Sequence, residues 1–159
     1  MNKQEFLEPA ADIDGLDEKI LKLITKNARI PFLEVARECG VSGAAIHQRV
    51  QRLLNIGVVS GSEFVLNPAR LGYFTTAYMG IYLEKANSHR RVVEELKKIP
   101  EIVECHYTTG QYAIFIKVMT KTNIHLKQLI DDKLQMIDGI ARTETYISLE
   151  MEFKRQVEL

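Results

Sequence analysis

Over the first third of the chain, apolar residues recur every three or four positions, which is the spacing of one face of an α-helix. Three runs show this spacing, and their apolar positions are Leu16, Ile20, Leu23 and Ile24, then Phe32, Val35 and Ala36, then Ile46, Val50, Leu53 and Leu54. Gly40 can adopt the left-handed conformation that ends a helix, and Ser42 is a favourable N-cap for the next one. The pattern therefore predicts a first helix followed by a helix-turn-helix whose last helix has one polar face.

The positions after this third helix predict a short β-hairpin. Gly57 ends the helix, and Ser60-Gly61-Ser62 separates two short apolar segments. Three helices followed by a hairpin form a winged helix-turn-helix, which is predicted here for residues 12–66. Asn67-Pro68 then breaks the pattern, so residues 67–73 are predicted to be a linker.

From residue 74 onward, strand-forming segments alternate with segments of helical spacing. Four segments predict strands, and they are Phe74–Leu83, Ile102–Thr109, Tyr112–Met119 and Ile140–Leu149. Ser88 and Thr122 are favourable N-caps for two intervening helices. The order β-α-β-β-α-β is that of a ferredoxin-like βαββαβ α/β sandwich, which is predicted for residues 74–159 and makes the chain α+β.

In such a sandwich both helices cover the same face of the sheet. The first strand nonetheless carries apolar residues on both faces, with aliphatic Ala77 and Met79 on one and aromatic Tyr78 and Tyr82 on the other. A sheet that is apolar on both faces needs a second cover. We therefore expect this domain to form a homodimer through its open face.

Charge is distributed unevenly, although the formal net charge is zero. No acidic residue lies from Cys39 to Ser62, and this stretch contains Arg49 and Arg52. An acid-free stretch around a polar helix favours contact with DNA phosphates, and its few cations predict weak binding per copy that oligomerisation would strengthen.

The polar residues show no pattern typical of an enzyme. The chain has no nucleophile elbow, phosphate loop or dinucleotide motif, and its cysteines and histidines lack the spacing of a metal site. No catalytic residue, metal or cofactor is therefore predicted. Glu104, His106 and Glu144 leave a metal or acid–base cluster open as an alternative to a polar surface patch, and Cys105 is expected in the core.

No apolar run has the length of a membrane span, and the polar start of the chain is unlike a signal peptide. We therefore expect a cytoplasmic protein that does not contact a membrane.

The N-terminal turns of a helix in the major groove lie closest to the base edges. The residues placed there are Ser42, Gly43, Ala44, His47 and Gln48, and Gln51 lies on the same polar face. Gln48 can pair with adenine, and small Ala44 can approach a thymine methyl group. Arg49 and Arg52 are predicted to contact phosphates, with Gly61 and Ser62 near the adjacent backbone. The alternative is that this face is merely solvated.

Several short motifs follow one another in an order typical of one family. They are Leu16-Asp17, Arg29, Leu33-Glu34-Val35-Ala36, Val41-Ser42, Gly57-Val58-Val59, Asn67-Pro68, Leu71-Gly72, Ile99-Pro100-Glu101-Ile102-Val103, Thr109-Gly110-Gln111-Tyr112 and Thr143-Glu144-Thr145. From Leu16 to Leu149 the chain resembles the Lrp/AsnC (feast/famine) family of transcriptional regulators. The resemblance implies a sequence-specific DNA-binding regulator with a C-terminal sandwich of the RAM/ACT type, which dimerises and assembles further into tetramers or octamers.

The resemblance also implies an amino acid or related small molecule as effector, bound around the loop between the second and third strands of the sandwich. The corresponding residues are Thr108, Thr109, Gly110, Gln111, Tyr112 and Ala113. The family usually has Asp where this chain has Ala113, which cannot receive a ligand's ammonium group. Three alternatives are therefore left open: a different effector, binding at another place, or no effector at all.

Two other functions stay open at this stage. Sirohaem decarboxylases share the two-domain arrangement, and in that case His106 would be the residue of interest. The segment from Ser42 to Gly57 has an intact helix-turn-helix pattern, which favours the regulator. An effector-binding module that acts through protein partners is the third alternative.

Overall fold

Three helices form in the N-terminal segment, where the apolar spacing predicts them. The computed structural model describes residues 10–159. The prediction that the polar start of the chain is not a signal peptide lies in part outside these described residues. The helices are α1 (Gly15–Lys26), α2 (Phe32–Cys39) and α3 (Gly43–Asn55).

Local side-chain and backbone signals set the helix ends. Asp14 and Asp17 form a capping box at α1, in which the side chain of each accepts a hydrogen bond from the backbone N–H of the other. Gly40 ends α2 with a φ of 71°. Ser42 Oγ accepts the backbone N–H of Ala45 at 3.2 Å and so starts α3. The predicted helix-turn-helix is confirmed.

One apolar cluster holds these three helices together. Its buried members are Ile20, Val35, Ala36, Ile46 and Val50. Leu53 is also fully buried, whereas Leu54, at the border of the apolar stripe of α3, is 36% exposed. The reason is geometric, because one residue corresponds to about 100° around a helix and turns Leu54 away from the core.

The hairpin predicted after α3 is wrong. Residues 57–66 are described throughout and contain no strand. Gly57 turns the chain with a φ of 75°, the Val59 N–H donates to the Leu53 carbonyl oxygen, and the Phe64 side chain is 74% exposed. Two apolar residues before the turn supply few ladder hydrogen bonds, and a two-stranded hairpin on its own is marginal in water.

The chain divides into two compact units. One contains the described residues up to Val65 together with Arg155–Leu159, and the other is Leu66–Lys154. The predicted linker contains a short 3₁₀ turn, Ala69–Leu71. The domain boundaries given above stay a prediction.

The C-terminal unit contains one antiparallel sheet and two helical segments. Its strands and helices are β1 (Thr75–Leu83), α4 (His89–Leu96), β2 (Ile102–Tyr107), β3 (Ile114–Thr120), α5 (Asn123–Gln128) and β4 (Ile140–Ser148). The helical path of α5 continues through a π-turn and a 3₁₀ turn to Met136. The sheet order is β2-β3-β1-β4, so the two strands nearest in sequence to the termini of the unit, β1 and β4, pair directly, as the ferredoxin-like prediction requires.

The core of this unit lies on the helix-covered face of the sheet. Its buried residues are Ala77, Met79, Ile81, Val92, Leu96, Ile99, Ile114, Ile116, Val118, Leu126, Leu129 and Leu134. Cys105 is exposed, so its predicted place in the core is wrong. It lies on β2, at the edge of the sheet, whereas the buried strand residues belong to β1 and β3.

The predicted strand ends shift by one or two residues. Phe74 precedes β1 and is 75% exposed, and β2 and β3 end and begin at Tyr107 and Ile114. Among residues 10–159, no helix is long and apolar enough to cross a bilayer.

Candidate DNA-binding helix and effector loop

The third helix separates a buried face from an exposed polar one. Ile46, Val50 and Leu53 are buried. The candidate base-contacting side chains are exposed, and they are Ser42, Ala44, His47, Gln48 and Gln51. Gly43 is half-buried, and a Cβ added there would meet no atom within 4 Å. The structure therefore brings these candidates together at one surface, around the N-terminal turns of α3.

Arg49 and Arg52 are arranged differently from the other candidates. Arg49 Nη1 donates to Asp14 Oδ2 and, at 3.0 Å, to Asp17 Oδ1. Arg52 Nη1 donates to Asp17 Oδ2 at 2.9 Å, and its Nη2 donates to the Asp12 carbonyl oxygen at 2.7 Å. Both guanidinium groups are thus bound to the residues that start α1.

Burial and charge reinforce this arrangement. The Asp17 side chain is 1% exposed, whereas the Arg49 and Arg52 side chains are 32% and 45% exposed. The hydrogen bond from Arg49 holds the pKa of Asp14 below its ordinary value. The hydrogen bonds to Asp14 and Asp17 raise the pKa of Arg49. We refer to Asp14, Asp17, Arg49 and Arg52 as the Asp–Arg cluster.

The pairing of Asp14 and Asp17 with the two arginines was not predicted from the sequence. A signal for it exists in the spacing, because two aspartates three residues apart face two arginines three residues apart. Residues at this spacing share one face of a helix. One face of α1 can therefore meet one face of α3 with both charge pairs aligned.

The predicted effector loop closes on itself through hydrogen bonds. Thr108 Oγ1 donates to the Tyr112 carbonyl oxygen at 2.7 Å, and the Thr108 N–H donates to the Ala113 carbonyl oxygen at 3.0 Å. Gly110 has a φ of 103°, which a residue with a side chain rarely adopts. Thr109, Gly110 and Gln111 are exposed at the tip, so a ligand can reach them.

Tyr112 leaves the loop and lies on the open face of the sheet. Its ring occupies the space above Gly80, where an added Cβ would come within 2.3 Å of a ring carbon. Its hydroxyl donates to Glu144 Oε2 at 2.8 Å. The Tyr82 ring meets the Tyr112 ring edge-on, with centroids 5.2 Å apart.

Glu144 collects further donors on the same face. Tyr146 donates to Oε2 at 3.0 Å, and Tyr82 and Arg142 both donate to Oε1 at 3.1 Å. The hydrogen bonds from Tyr112, Tyr146 and Tyr82 hold the pKa of Glu144 below its ordinary value. The hydrogen bonds that Tyr112 makes with the Tyr146 hydroxyl and with Glu144 raise the pKa of Tyr112. We call Tyr82, Tyr112, Glu144 and Tyr146 the phenol cluster, and sequence reasoning missed it.

The structure does not bring Glu144 together with His106. The two residues lie in the same row of the sheet, yet β1 and β3 separate their strands, which corresponds to about 14 Å. Glu104 lies closer to His106, with Oε2 3.9 Å from Nε2, and also accepts from Lys117 at 3.0 Å. Within residues 10–159 no three acidic, histidine or cysteine side chains are grouped to bind a metal.

Two family models match the chain, one for each unit. The AsnC-type helix-turn-helix domain matches residues 13–54, and the Lrp/AsnC ligand binding domain matches residues 76–157. The chain belongs to the Lrp/AsnC family. The helix-turn-helix match includes the Asp–Arg cluster, and the ligand-binding match includes the loop and the phenol cluster.

Members of the Lrp/AsnC family with close sequence similarity are named as regulators. The chain is 40% identical to the regulatory protein AsnC of Haemophilus influenzae over 146 residues, covering 92% of this chain and 97% of that protein. It is 37% identical to the regulatory protein AsnC of Escherichia coli (strain K12) over 145 residues, covering 91% of this chain and 95% of that protein.

Solved structures show the same Lrp/AsnC architecture. The structure of Escherichia coli AsnC is 36% identical and superposes with a TM-score of 0.90, covering 94% of this chain and 100% of that chain. A transcriptional regulator of Neisseria meningitidis, solved as a complex with L-Met, shares the fold with a TM-score of 0.85 at 21% identity, covering 93% of this chain and 96% of that chain.

These findings identify the chain as a DNA-binding transcriptional regulator of the Lrp/AsnC type. They give no support to the sirohaem-decarboxylase alternative. The exposed polar face of α3 and the loop of the C-terminal unit are its candidate binding sites.

Proposed function

We propose that this regulator binds double-stranded DNA in a sequence-specific manner, with the N-terminal turns of α3 in the major groove. The observation that carries the proposal is the division of α3 into two faces. Its apolar side chains are fixed in the core of the bundle, so its polar side chains are held in a defined orientation toward the outside. A groove-reading helix needs this arrangement, because specificity depends on where side chains meet the base edges.

The candidate contacts divide into two groups. Gln48 and Ala44 are placed to read bases, since an amide pairs with adenine and a small side chain admits a thymine methyl group. Ser42, Gly43, His47 and Gln51 surround them on the same exposed surface. Ser42 and Gly43 bring backbone close to the groove, because the Ser42 hydroxyl already caps α3 and Gly43 has no side chain.

Arg49 and Arg52 are the proposed phosphate contacts. Their partial exposure allows a phosphate to approach, but both guanidinium groups are engaged by carboxylates in the free protein. Contact with DNA therefore exchanges carboxylate hydrogen bonds for phosphate hydrogen bonds.

Gln48→Ala tests base reading. We expect the variant to lose preference at one adenine position by about 1 to 3 kcal/mol, because an amide pairing with adenine is removed. Selection from a randomised duplex library, followed by anisotropy titration of the selected sites, measures this change. Gln135→Ala, an exposed glutamine in the C-terminal unit, is the matched control. Identical site preference in Gln48→Ala and the wild type would contradict the proposed reading surface.

We further propose that an amino acid or related small molecule binds at the loop from Thr108 to Ala113. The match to a ligand-binding domain supports this, and the Neisseria meningitidis regulator of the same fold is a complex with L-Met. Because Ala113 supplies no carboxylate, a different acidic group must receive an ammonium. Titration calorimetry with the twenty common amino acids tests the proposal, and no heat above the dilution control for any of them would contradict it.

The open sheet face supports a homodimer as the functional unit, with tetramers or octamers as higher assemblies. Tyr78 and Phe115 stack there with centroids 6.1 Å apart, and both residues are only half-buried. A second copy could bury these rings. A monomeric mass by light scattering at micromolar concentration would contradict this part of the proposal.

The proposal also places the regulator in the cytoplasm and assigns it no catalytic activity. Sirohaem supplies a direct test, because a decarboxylase would bind it and change its absorbance spectrum. We expect an unchanged spectrum when the purified protein is added.

A further inference from the structure

The Asp–Arg cluster links the recognition helix to a buried carboxylate in its own bundle. Asp17 accepts from Arg49 at 3.0 Å and from Arg52 at 2.9 Å, one arginine on each oxygen. Carboxylate and phosphate present similar oxygen geometry to a guanidinium fork. Asp17 therefore offers both arginines the same kind of partner that DNA would offer.

The carboxylate of Asp17 is buried, whereas the two arginines that bind it are partly exposed. The Asp17 side chain is 1% exposed and is also bound to the backbone N–H of Asp14, so it cannot follow the arginines outward. The arginine side chains are 32% and 45% exposed and can move toward solvent. An arginine that turns to a phosphate leaves part of a buried negative charge without a partner, which is unfavourable.

We propose that Asp17, assisted by Asp14, competes with DNA phosphates for Arg49 and Arg52 and thereby limits the binding that is independent of sequence. This inference rests on the proposed function of α3. Base contacts from Gln48 and Ala44 do not involve the cluster, so the competition lowers affinity for every sequence without lowering the preference among sequences. Asp17 therefore sets the strength of DNA binding and its salt dependence, although it touches no base itself.

A double-mutant cycle in the full chain tests the competition. The four proteins are wild type, Asp17→Asn, Arg52→Gln and the double variant, each titrated by fluorescence anisotropy. The probes are a duplex selected by the wild type and a random-sequence duplex, both measured over a series of salt concentrations. Each new phosphate contact steepens the salt dependence of log K by about 0.9.

We expect Asp17→Asn to bind both duplexes more tightly and to steepen the salt dependence by about 0.9 to 1.8, as one or two arginines become free. Arg52→Gln should lower the slope by only part of one phosphate contact in the wild-type background, where Asp17 competes for the arginine, but by about 0.9 in the Asp17→Asn background. The difference between the two backgrounds is the signature of competition. Glu18→Gln is the control for net charge. Glu18 is an exposed residue in the same turn of α1, and its substitution removes one negative charge without changing the hydrogen bonds of Asp17 to Arg49 and Arg52.

Additivity in the cycle would overturn the inference. Equal slopes for Asp17→Asn and Glu18→Gln would also overturn it, because charge alone would then explain the change. If circular dichroism shows that Asp17→Asn is unfolded, Asp14→Asn with Arg49→Gln forms an equivalent cycle in which the cap residue is conserved in shape. Failure of the wild type to bind either duplex would overturn the proposed function, and this inference with it.

Discussion

The Asp–Arg cluster and the phenol cluster both hold a carboxylate within a set of side-chain donors, but they use different donors. Asp17 is buried and meets two cations, whereas Glu144 is half-buried and meets three phenols and one arginine. Guanidinium groups can equally bind a phosphate, while phenols attach a loop to a sheet without adding charge. The N-terminal unit thus holds two cations at α3, where we propose the DNA contact, whereas the C-terminal unit attaches the candidate effector loop to the sheet mainly through uncharged phenols.

The largest effect is expected when the buried carboxylate loses both cations. Arg49→Met with Arg52→Met should lower the free energy of unfolding of the N-terminal unit by about 3 kcal/mol, because Asp17 is left buried and unpaired. Denaturant titration followed by helical circular dichroism measures the change.

Addition of Asp17→Asn to this double variant is the control, since it removes the unpaired charge. Most of the lost stability should then return. A triple variant as unstable as the double variant would show that the packing of the arginine stems matters more than the charge.

A smaller effect is expected on the sheet. Gly80→Ala should lower the free energy of unfolding of the C-terminal unit by about 1 to 3 kcal/mol, because its Cβ would overlap the Tyr112 ring and the ring would have to move. All six tyrosines lie between residues 73 and 146, so tyrosine fluorescence reports this unit selectively. In a Tyr112→Ala background the same substitution should cost much less, and an undiminished cost would exclude Tyr112 as the cause.

The smallest effect concerns pH. The pKa of Glu144 is lowered in the folded protein, so its contribution to stability is complete above the ordinary glutamate pKa of about 4.3 and is lost as pH falls through the lowered value. Glu144→Gln should therefore weaken the loss of C-terminal stability on acidification. Tyrosine-monitored unfolding at a series of acidic pH values measures this loss of stability. Parallel curves of stability against pH for the two proteins would show that Glu144 does not contribute to the pH dependence.

Local signals explain how much of the fold could be predicted. The spacing of Ile46, Val50 and Leu53, the cap at Ser42 and the left-handed Gly40 each act within a few residues, so the helix-turn-helix follows from them. The strand order followed from alternation and from the sequence of elements. The hairpin failed because its prediction depended on turn residues alone, without enough paired backbone to hold two strands.

The sites were predicted less completely, because side-chain pairing depends on distant residues. The exposed face of α3 could be placed from its own periodicity. The partners of Arg49 lie more than thirty residues away, and those of Tyr112 lie on two other strands, so no local pattern identified them. The prediction that Cys105 lies in the core is wrong for a related reason. The side of the strand to which Cys105 belongs follows from alternation, but the edge position of β2, which leaves this residue exposed, depends on strands distant in sequence.

The capping box of α1 has a consequence for how the protein responds to heat. Asp14 and Asp17 order the first turn of α1 and also restrain two cations of the neighbouring helix, so fraying of that single turn releases both arginines at once. Warming should then strengthen the phosphate contacts, and so steepen the salt dependence of DNA binding, before the helices melt. Hydrogen exchange at the Leu16 and Asp17 amides would follow that opening directly, and protection as strong as that of the bundle interior would rule it out.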